Sequence, residues 1–350
     1  MKTVILAGGG TAGHITPHVA LYPYLADYFD KIYYIGSGKP IENQLIAPLN
    51  IKIYKIDPPA LLRSLTLKNA LIPFKMAKAV KQCKAILKDT DASVVFSKGG
   101  YCALPVCIAA NKLKIPVVCH ESDLSVGLAN KLVFKKCAYF LTTFEQTALN
   151  HGGICVGPPI NKPKKIDKQI AQNTLGINTQ KPVLLITGGS QGSATINQAV
   201  ILNIAKLTSL FFVIHLYGKG KKCAYNATNN YLPLEFADMN LCMSACDICL
   251  SRGGSNTLFE LLFNNVPSLI APLKKGSRGD QIKNAQYFKN LNAIKTCDEE
   301  ELEKNITSLV CDLYKNRTLL KENIKKLNIT NGTKKTFEYI KAAAENKNIN

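Results

Sequence analysis

The chain has 350 residues and a formal net charge of +20, from 44 lysines and arginines against 24 aspartates and glutamates. Hydrophobic residues make up 47% of it, which excludes an intrinsically disordered chain and is enough for two globular domains. The positive charge favours an anionic partner, such as a phosphorylated ligand, an acidic membrane surface or a nucleic acid. A basic composition without any specific partner is the alternative at this point.

The amino-terminal residues lead directly into an apolar run and lack the pattern of a signal peptide, so we expect a cytosolic protein. No apolar run reaches the roughly 18–20 residues that span a bilayer. The 12 cysteines fit this expectation as buried free thiols. Cys242, Cys246 and Cys249 have the spacing of an iron–sulfur loop, but they fall on a predicted helix and the next strand. We therefore predict no metal and no other cofactor.

Short continuous apolar runs alternate along the chain with longer amphipathic stretches. Such runs are typical of parallel strands that helices cover on both faces, so the pattern predicts an α/β, doubly wound architecture. The predicted strands carry the sequences TVILAG, KIYYIG, SVVFSK, PVVCHE and YFLTTF in the first half, and PVLLITG, FFVIHLYG, DICLSRG and PSLIAPL in the second.

The second half of the chain repeats the organisation of the first. LAGGGTAGH corresponds to LITGGSQGS, and VVFSKGGY corresponds to ICLSRGGS; each segment follows a strand and opens a helix. We predict an N-terminal domain over residues 1–160, a C-terminal domain over 161–330, and a final helix within 331–350 that packs back on the N-terminal domain. Because ligands of open α/β sheets bind at the carboxyl ends of the strands, both domains are expected to direct these loops at a shared cleft.

The glycine-rich turns have the composition of phosphate-binding loops. Glycine lets the backbone approach a ligand, and the N–H groups at a helix start point at negative charge. The first loop does not fit a dinucleotide fingerprint, because the second strand ends YYIGSGK without an acid for the ribose. In SRGGSNTLFE, Glu260 can take the ribose hydroxyls while Arg252, Ser255, Asn256 and Thr257 face the phosphates. The sequence therefore predicts a nucleotide on the second half.

These motifs resemble the MurG family of peptidoglycan N-acetylglucosaminyltransferases over nearly the whole chain. The segments that carry the resemblance are GGGTAGHITP, SKGGYCALP, HESDLSVGLAN, VGPP, GGSQGSATIN, FADM, SRGGSNTLFE and DQIKNA. The resemblance implies the GT-B fold, in which two Rossmann-like parallel-sheet domains face a central cleft. It also implies an inverting transfer of N-acetylglucosamine from UDP-N-acetylglucosamine to the 4-hydroxyl of undecaprenyl-pyrophosphoryl-N-acetylmuramoyl-pentapeptide. The product is the lipid-linked disaccharide precursor of peptidoglycan.

The resemblance implies roles for individual residues as well. His14 is expected to be the general base or to activate the acceptor, with a helix cap or a pyrophosphate hydrogen bond as the alternative, and Glu121 is the reserve base. Gly10, Tyr101 and Asn130 are expected to bind the acceptor. The residues expected to bind UDP-N-acetylglucosamine are Thr11, Ala12, Gly13, Asp123, Ser190, Gln191, Phe236 (through its backbone, to uracil), Arg252, Ser255, Asn256, Thr257, Glu260 (ribose) and Gln281 (sugar hydroxyls).

The chain departs from the family pattern at a few of these positions. Ser122 and Asp123 stand where the family has Gln and Asn, and an aspartate accepts a hydrogen bond from a sugar hydroxyl but cannot donate one. Asn161 stands where the family has an arginine, for which Lys162 or Lys164 is a looser substitute. The reaction class is expected to be unaffected by these departures.

An acceptor on a lipid requires contact with a membrane surface. The segment LIPFKMAKAVKQCK groups apolar and basic residues, which suits an anionic inner-membrane surface. An ordinary helix with a buried stripe and a solvated lysine face is the alternative. We expect a peripheral protein on the cytoplasmic face of the membrane, with no nucleic-acid partner. The residues of this predicted membrane face are Leu71, Ile72, Phe74 and Met76, with Lys68, Lys75, Lys78, Lys81 and Lys84 around them.

Two other classes of function stay open on the sequence alone. One is another GT-B UDP-sugar transferase that acts on a different lipid, or a UDP-sugar epimerase. The segment HESDLSVGLAN favours the MurG-like transferase over this class. The other is a non-enzymatic basic protein that binds nucleic acid or membrane, which leaves His14, Glu260 and Gln281 without roles.

Overall fold

A computed structural model describes residues 1–59, 71–161, 163–189, 191–221, 223–274 and 279–346. The chain divides into two compact units. The first unit comprises Met1–Lys162 together with Thr330–Asn350, and the second comprises Pro163–Ile329. The chain therefore leaves the first unit once and returns to it at its carboxyl end.

The first unit is built on a seven-stranded sheet in which every neighbouring pair is parallel. Its strands are β1 (Thr3–Ala7), β2 (Lys31–Gly36), β3 (Lys52–Lys55), β4 (Val94–Ser97), β5 (Val117–Glu121), β6 (Tyr139–Thr142) and β7 (Ile154–Cys155). Their order in the sheet is β3-β2-β1-β4-β5-β6-β7. Its helices are α1 (Thr16–Ala26), α2 (Pro40–Ile46), α3 (Ile72–Asp89), α4 (Gly100–Lys112), α5 (Leu128–Val133) and α6 (Glu145–His151).

The second unit has a six-stranded sheet, again parallel throughout. Its strands are β8 (Val183–Thr187), β9 (Phe212–Leu216), β10 (Tyr231–Leu234), β11 (Ile248–Ser251), β12 (Ser268–Ile270) and β13 (Lys295–Thr296), in the order β10-β9-β8-β11-β12-β13. Its helices are α7 (Lys168–Thr174), α8 (Ala194–Leu210), α9 (Met239–Ala245), α10 (Ser255–Phe263), α11 (Asp280–Asn290), α12 (Leu302–Lys315) and α13 (Arg317–Lys326).

Successive residues of the central strands enter different cores, which explains their continuous apolar sequences. Ile5 and Ala7 of β1 pack in one cluster with residues of α3 and α4. Val4 and Leu6 pack on the other face with residues of α1. Side chains alternate along a strand, so a strand that is covered on both faces needs apolar residues at every position.

All nine strands predicted from the sequence are present, and the four that were not predicted are β3, β7, β10 and β13. Each of the four lies at an edge of its sheet. An edge strand is short and partly exposed, so it carries no continuous apolar run; β10 even contains Pro233, which an edge tolerates.

The final helix, α14 (Thr333–Ala344), packs on the first unit. Ile340 and Ala343 are buried in the same cluster as Leu21 and Leu25 of α1. An ion pair of 3.2 Å between Lys2 Nζ and Glu345 Oε1 joins the end of this helix to the start of β1. Within the described ranges, no helix combines the length and hydropathy required to cross a membrane.

Candidate active site

The first glycine loop follows β1 and closes against side chains of its own unit. Gly9 and Gly10 have positive φ angles of +137° and +87°. A Cβ atom at Gly9 would lie 2.4 Å from Glu42 Oε1, and one at Gly10 would lie 2.8 Å from Tyr101 Cε1. Internal packing therefore demands glycine at these two positions, in addition to any need for close approach to a ligand.

The buried carboxylate of Glu42, on α2, holds this loop in place. The sequence did not predict this supporting role. Glu42 Oε1 accepts hydrogen bonds from Gly10 N at 3.0 Å and Ser37 Oγ at 2.6 Å, and its Oε2 accepts one from Gly38 N at 2.8 Å. The second strand, β2, ends without an acid, but Glu42 follows shortly after it on α2. Its carboxylate holds the glycine loop, so it is not available as the ribose ligand of a dinucleotide fingerprint.

His14 ends a 3-10 turn, Ala12–His14, which follows the glycine loop directly. Its Nδ1 lies 2.9 Å from the Thr11 hydroxyl, and its ring carbons would lie 3.5 Å from a Cβ atom at Gly100. The partly exposed imidazole thus faces the start of α4. Thr11 and Gly13 are exposed and Ala12 is half-buried, so these three residues line the same surface.

Glu121, the reserve base of the sequence analysis, has both carboxylate oxygens engaged. Oε1 accepts from the backbone of Ser122 and Asp123 at 3.0 and 3.1 Å. Oε2 accepts from Gly127 N at 2.8 Å and from Asn130 Nδ2 at 2.9 Å. These four bonds favour an anchoring role for Glu121 over a role as base.

Two residues expected on the acceptor side occupy different environments. Asn130 is 3% exposed, and its amide donates to Glu121 and to the carbonyl of His120, so it supports the loop from below. These contacts favour a supporting role for the Asn130 side chain, and its expected role in acceptor binding stays a prediction. Tyr101 is half-buried at the start of α4, where Lys39 Nζ lies 5.5 Å from its ring centre. Desolvation raises the pKa of its hydroxyl.

The second glycine loop follows β8 in the other unit and is equally constrained. A Cβ atom at Gly188 would lie 2.2 Å from Ser193 N, and one at Gly192, where φ is +65°, would lie 2.1 Å from Tyr217 O. Ser193 caps α8 by accepting from Ile196 N at 3.2 Å. Gln191 is exposed, whereas Ser190 lies outside the described residues.

A buried network that the sequence did not indicate fixes the backbone beside this loop. His215 Nδ1 lies 2.8 Å from the Tyr231 hydroxyl, and its Nε2 lies 3.1 Å from Asn197 Oδ1. Asn197 Nδ2 donates to Tyr217 O at 2.9 Å, the same carbonyl that a Cβ atom at Gly192 would meet. Burial lowers the pKa of His215 to about 4, so the ring is neutral at physiological pH.

The third loop leads into α10 and carries the residues expected to face the nucleotide. Ser255 is buried, and Asn256 and Thr257 are half-buried in the first turn. Gln281 at the start of α11 accepts from Leu273 N at 3.0 Å through its Oε1, which fixes its side chain. Phe236, just after β10, is 61% exposed.

Arg252, at the start of this loop, is paired with an acid of its own unit. Its guanidinium donates to Glu299 Oε1 at 3.1 Å in a pair that is largely buried. This charged hydrogen bond connects the loop that precedes α10 to the 3-10 turn Glu299–Glu301. This geometry favours a supporting role for Arg252 at the loop, and its predicted phosphate-facing role stays a prediction.

Glu260 lies on α10, one turn beyond the loop residues. Burial raises the pKa of its carboxyl to about 7, and within the described part of the chain the carboxylate has no hydrogen-bond or ion-pair partner. A desolvated carboxylate without a partner is unfavourable for stability and is typical of a functional site.

The cysteine cluster carries no metal geometry. Cys242 and Cys246 are buried at α9 and its end, and Cys249 is buried in β11. Across the ranges that the structure describes, no group of three or more His, Cys, Asp or Glu side chains could hold a metal ion.

The predicted membrane face is only partly at the surface. Leu71 and Phe74 are 56% and 75% exposed, whereas Ile72 is half-buried and Met76 packs against the core. Lys68 lies outside the described residues. A groove of about 450 Å³ between α3 and α4 has an apolar floor and a basic rim; its lining is Pro73, Met76, Ala77, Val80 and Ile108 with Lys81, Lys84 and Lys112.

Solved structures of glycosyltransferases share the fold of this chain. MurG of Acinetobacter baumannii matches with a TM-score of 0.77 at 24% identity, over 97% of this chain and 99% of that one. The calicheamicin glycosyltransferase CalG4 matches with a TM-score of 0.72 at 13% identity, over 99% and 97%. These matches confirm the predicted GT-B type of fold with two Rossmann-like parallel-sheet domains, and so define the class of protein.

The family follows from sequence comparison. The models for the glycosyltransferase family 28 N-terminal and C-terminal domains match residues 4–142 and 183–340. A protein of Clostridium botulinum (strain Kyoto / Type A2) is 41% identical over 97% of this chain and 99% of its own length. One of Clostridium tetani (strain Massachusetts / E88) is 38% identical over 99% of both. Each is named UDP-N-acetylglucosamine--N-acetylmuramyl-(pentapeptide) pyrophosphoryl-undecaprenol N-acetylglucosamine transferase. The chain belongs to glycosyltransferase family 28, which confirms the resemblance seen in the sequence.

Proposed function

We propose that this chain transfers N-acetylglucosamine from UDP-N-acetylglucosamine to the 4-hydroxyl of undecaprenyl-pyrophosphoryl-N-acetylmuramoyl-pentapeptide, with inversion at the anomeric carbon. The names of relatives about 40% identical over 97% of the chain support this activity. The structural observation that carries the proposal is the half-buried, desolvated carboxylate of Glu260 on α10, which has no hydrogen-bond or ion-pair partner among the described residues. It matches the requirement of a ribose diol, which offers two hydroxyl donors to one carboxylate.

The second unit is proposed to hold the nucleotide. The starts of α8 and α10 present backbone N–H groups, which stabilise the negative charge of the diphosphate as UDP leaves. Ser255, Asn256 and Thr257 line this turn, and Gln281 is proposed to meet the sugar hydroxyls. The backbone at Phe236 is proposed to bind uracil.

The first unit is proposed to supply the base and the acceptor site. In an inverting transfer, the acceptor oxygen bonds to the anomeric carbon while UDP departs and the acceptor proton passes to a base. We assign this proton to His14. If its Nδ1–H donates to the Thr11 hydroxyl, Nε2 carries the lone pair that accepts the proton. Glu121 then acts as the anchor of the Ser122–Asp123 backbone.

A peripheral location on the cytoplasmic face of the membrane is part of the proposal. Leu71 and Phe74 are exposed beside the basic groove between α3 and α4. On α5, which also packs on α4, Leu128 and Leu132 are 48% and 58% exposed. Exposed apolar side chains beside lysines bind an anionic bilayer surface through both burial and charge.

The test is the transfer of radiolabelled N-acetylglucosamine from its UDP form to a short-chain analogue of the muramoyl-pentapeptide lipid. We expect a disaccharide product from the unaltered chain and a much lower rate of product formation from Glu260→Ala at a UDP-N-acetylglucosamine concentration near the KM. Conversion of UDP-N-acetylglucosamine to its epimer, without any disaccharide, would replace the transferase by an epimerase. A failure to bind UDP at all would refute the assignment of the second unit.

A further inference from the structure

Lys98 carries a buried amine that none of the roles above uses. It directly follows β4, is 3% exposed, and its Nζ lies 2.6 Å from Ser122 Oγ and 2.7 Å from His120 Nδ1. Burial lowers the pKa of this amine to about 7, and the charges of Glu121 and Asp123 act in the opposite direction. A lysine is retained in such a place only where partners offset the cost of desolvation.

His120 extends the contact of Lys98 to the end of the first unit's sheet. Because the Lys98 amine donates to Nδ1, the His120 ring carries its proton on Nε2, which donates to Gly157 O at 3.2 Å. Gly157 has a φ of +84°, and a Cβ atom there would lie 2.5 Å from Thr330 O. The network therefore ends where the chain leaves the first unit and later returns to it.

The segment that Lys98 contacts, Ser122–Asp123, departs from the family pattern. Glu121 holds the backbone of Ser122 and Asp123 through their N–H groups, and Lys98 holds the Ser122 hydroxyl. An aspartate at the position assigned to the donor sugar places a negative charge close to a ligand that itself carries a diphosphate. Without a nearby cation, this like charge would oppose binding.

We propose that Lys98 is a positioning residue for the donor sugar: its amine orients the Ser122–Asp123 segment and offsets the charge of Asp123, so that the carboxylate can accept a sugar hydroxyl. The inference rests on the proposed function, which assigns Asp123 to UDP-N-acetylglucosamine. On this proposal, an acid is tolerated where the family has an amide because the Lys98 amine, bonded to the neighbouring Ser122, supplies a compensating charge.

A double-mutant cycle with Lys98→Met and Asp123→Asn tests the proposal. Binding of UDP-N-acetylglucosamine and of UDP is measured by calorimetry at pH 6, where the Lys98 amine is charged, and the measurement needs no acceptor. We expect Lys98→Met to weaken binding of UDP-N-acetylglucosamine about tenfold, and binding of UDP by less than about twofold. In the Asp123→Asn background, Lys98→Met should weaken binding of UDP-N-acetylglucosamine by less than about threefold, because position 123 then carries no charge to offset. Lys88→Met, an exposed lysine at the end of α3, is the matched control and should change neither affinity.

The outcomes separate this inference from the proposed function. If the unaltered chain does not bind UDP-N-acetylglucosamine, both fail. Equal losses in the two backgrounds, or equal losses for UDP and the nucleotide sugar, would overturn only the role of Lys98. If Lys98→Met does not fold, Ser122→Ala decides, because it removes one partner and leaves the amine bonded to His120. It should weaken binding of UDP-N-acetylglucosamine about threefold and spare UDP; an unchanged affinity would overturn the proposal.

Discussion

The carboxylate of Glu260 should serve binding at the expense of stability, and Glu260→Gln should reveal both effects. Its pKa is raised from 4.5 to about 7 because the half-buried carboxylate is desolvated and has no hydrogen-bond or ion-pair partner among the described residues. The folded chain therefore holds a proton that the unfolded chain has lost between these two values. The stability contributed by this group falls as the pH rises from 4.5 to 7, and the full cost remains above 7.

The magnitude follows from the size of this shift. At about 1.4 kcal/mol for each pH unit, the cost of the charged form has an upper bound of about 3 kcal/mol. Since the side chain is partly exposed to solvent, we expect the uncharged glutamine to recover about 1–2 kcal/mol, a rise of roughly 2–8 °C in Tm. The gain should appear at pH 8 and shrink toward zero as the pH falls to 4.5, where the carboxyl is neutral in the folded chain.

The assays are thermal melting at several pH values and calorimetry with UDP-N-acetylglucosamine at pH 8. A hydrogen bond to a charged acceptor exceeds one to a neutral acceptor by about 1 kcal/mol, so two ribose hydroxyls predict a roughly tenfold to thirtyfold loss of affinity. Glu303→Gln, an exposed glutamate on α12, should change neither quantity. A variant of Glu260 with unchanged affinity, or with the same change of Tm at pH 5 and pH 8, would refute this reasoning.

Three further predictions concern the first unit. Glu42→Gln places an amide donor among three hydrogen-bond donors, and it should lower the free energy of unfolding by about 1–3 kcal/mol in thermal melts. His14→Ala should reduce kcat by about 10²–10⁴-fold while calorimetry shows UDP binding changed less than about twofold; an equal loss of both would move the nucleotide onto the first unit. Phe74→Glu should reduce sedimentation with vesicles of anionic lipid, whereas Leu319→Glu, at an exposed leucine of the second unit, should not; equal effects would contradict a membrane face on α3.

The sequence determined the central architecture of both units and the places where their loops lie. A strand between two helical layers must be apolar at every position, so β1, β4, β8 and β11 are visible in the sequence alone. The glycine loops are equally visible, because positions with a positive φ or a close contact select one residue type. Edge strands such as β3 lack both signals.

Only the tertiary structure decided which polar side chains support these loops. Glu42 meets Gly10 across 32 residues of sequence, Lys98 meets Ser122 across 24, and Arg252 meets Glu299 across 47. No local pattern marks such pairs, because a buried charge is defined by the groups that surround it in the folded chain rather than by its neighbours in sequence. For the same reason, the sequence could rank Arg252 and Glu121 as ligands or bases, while the folded chain shows that both are already bonded within their own units.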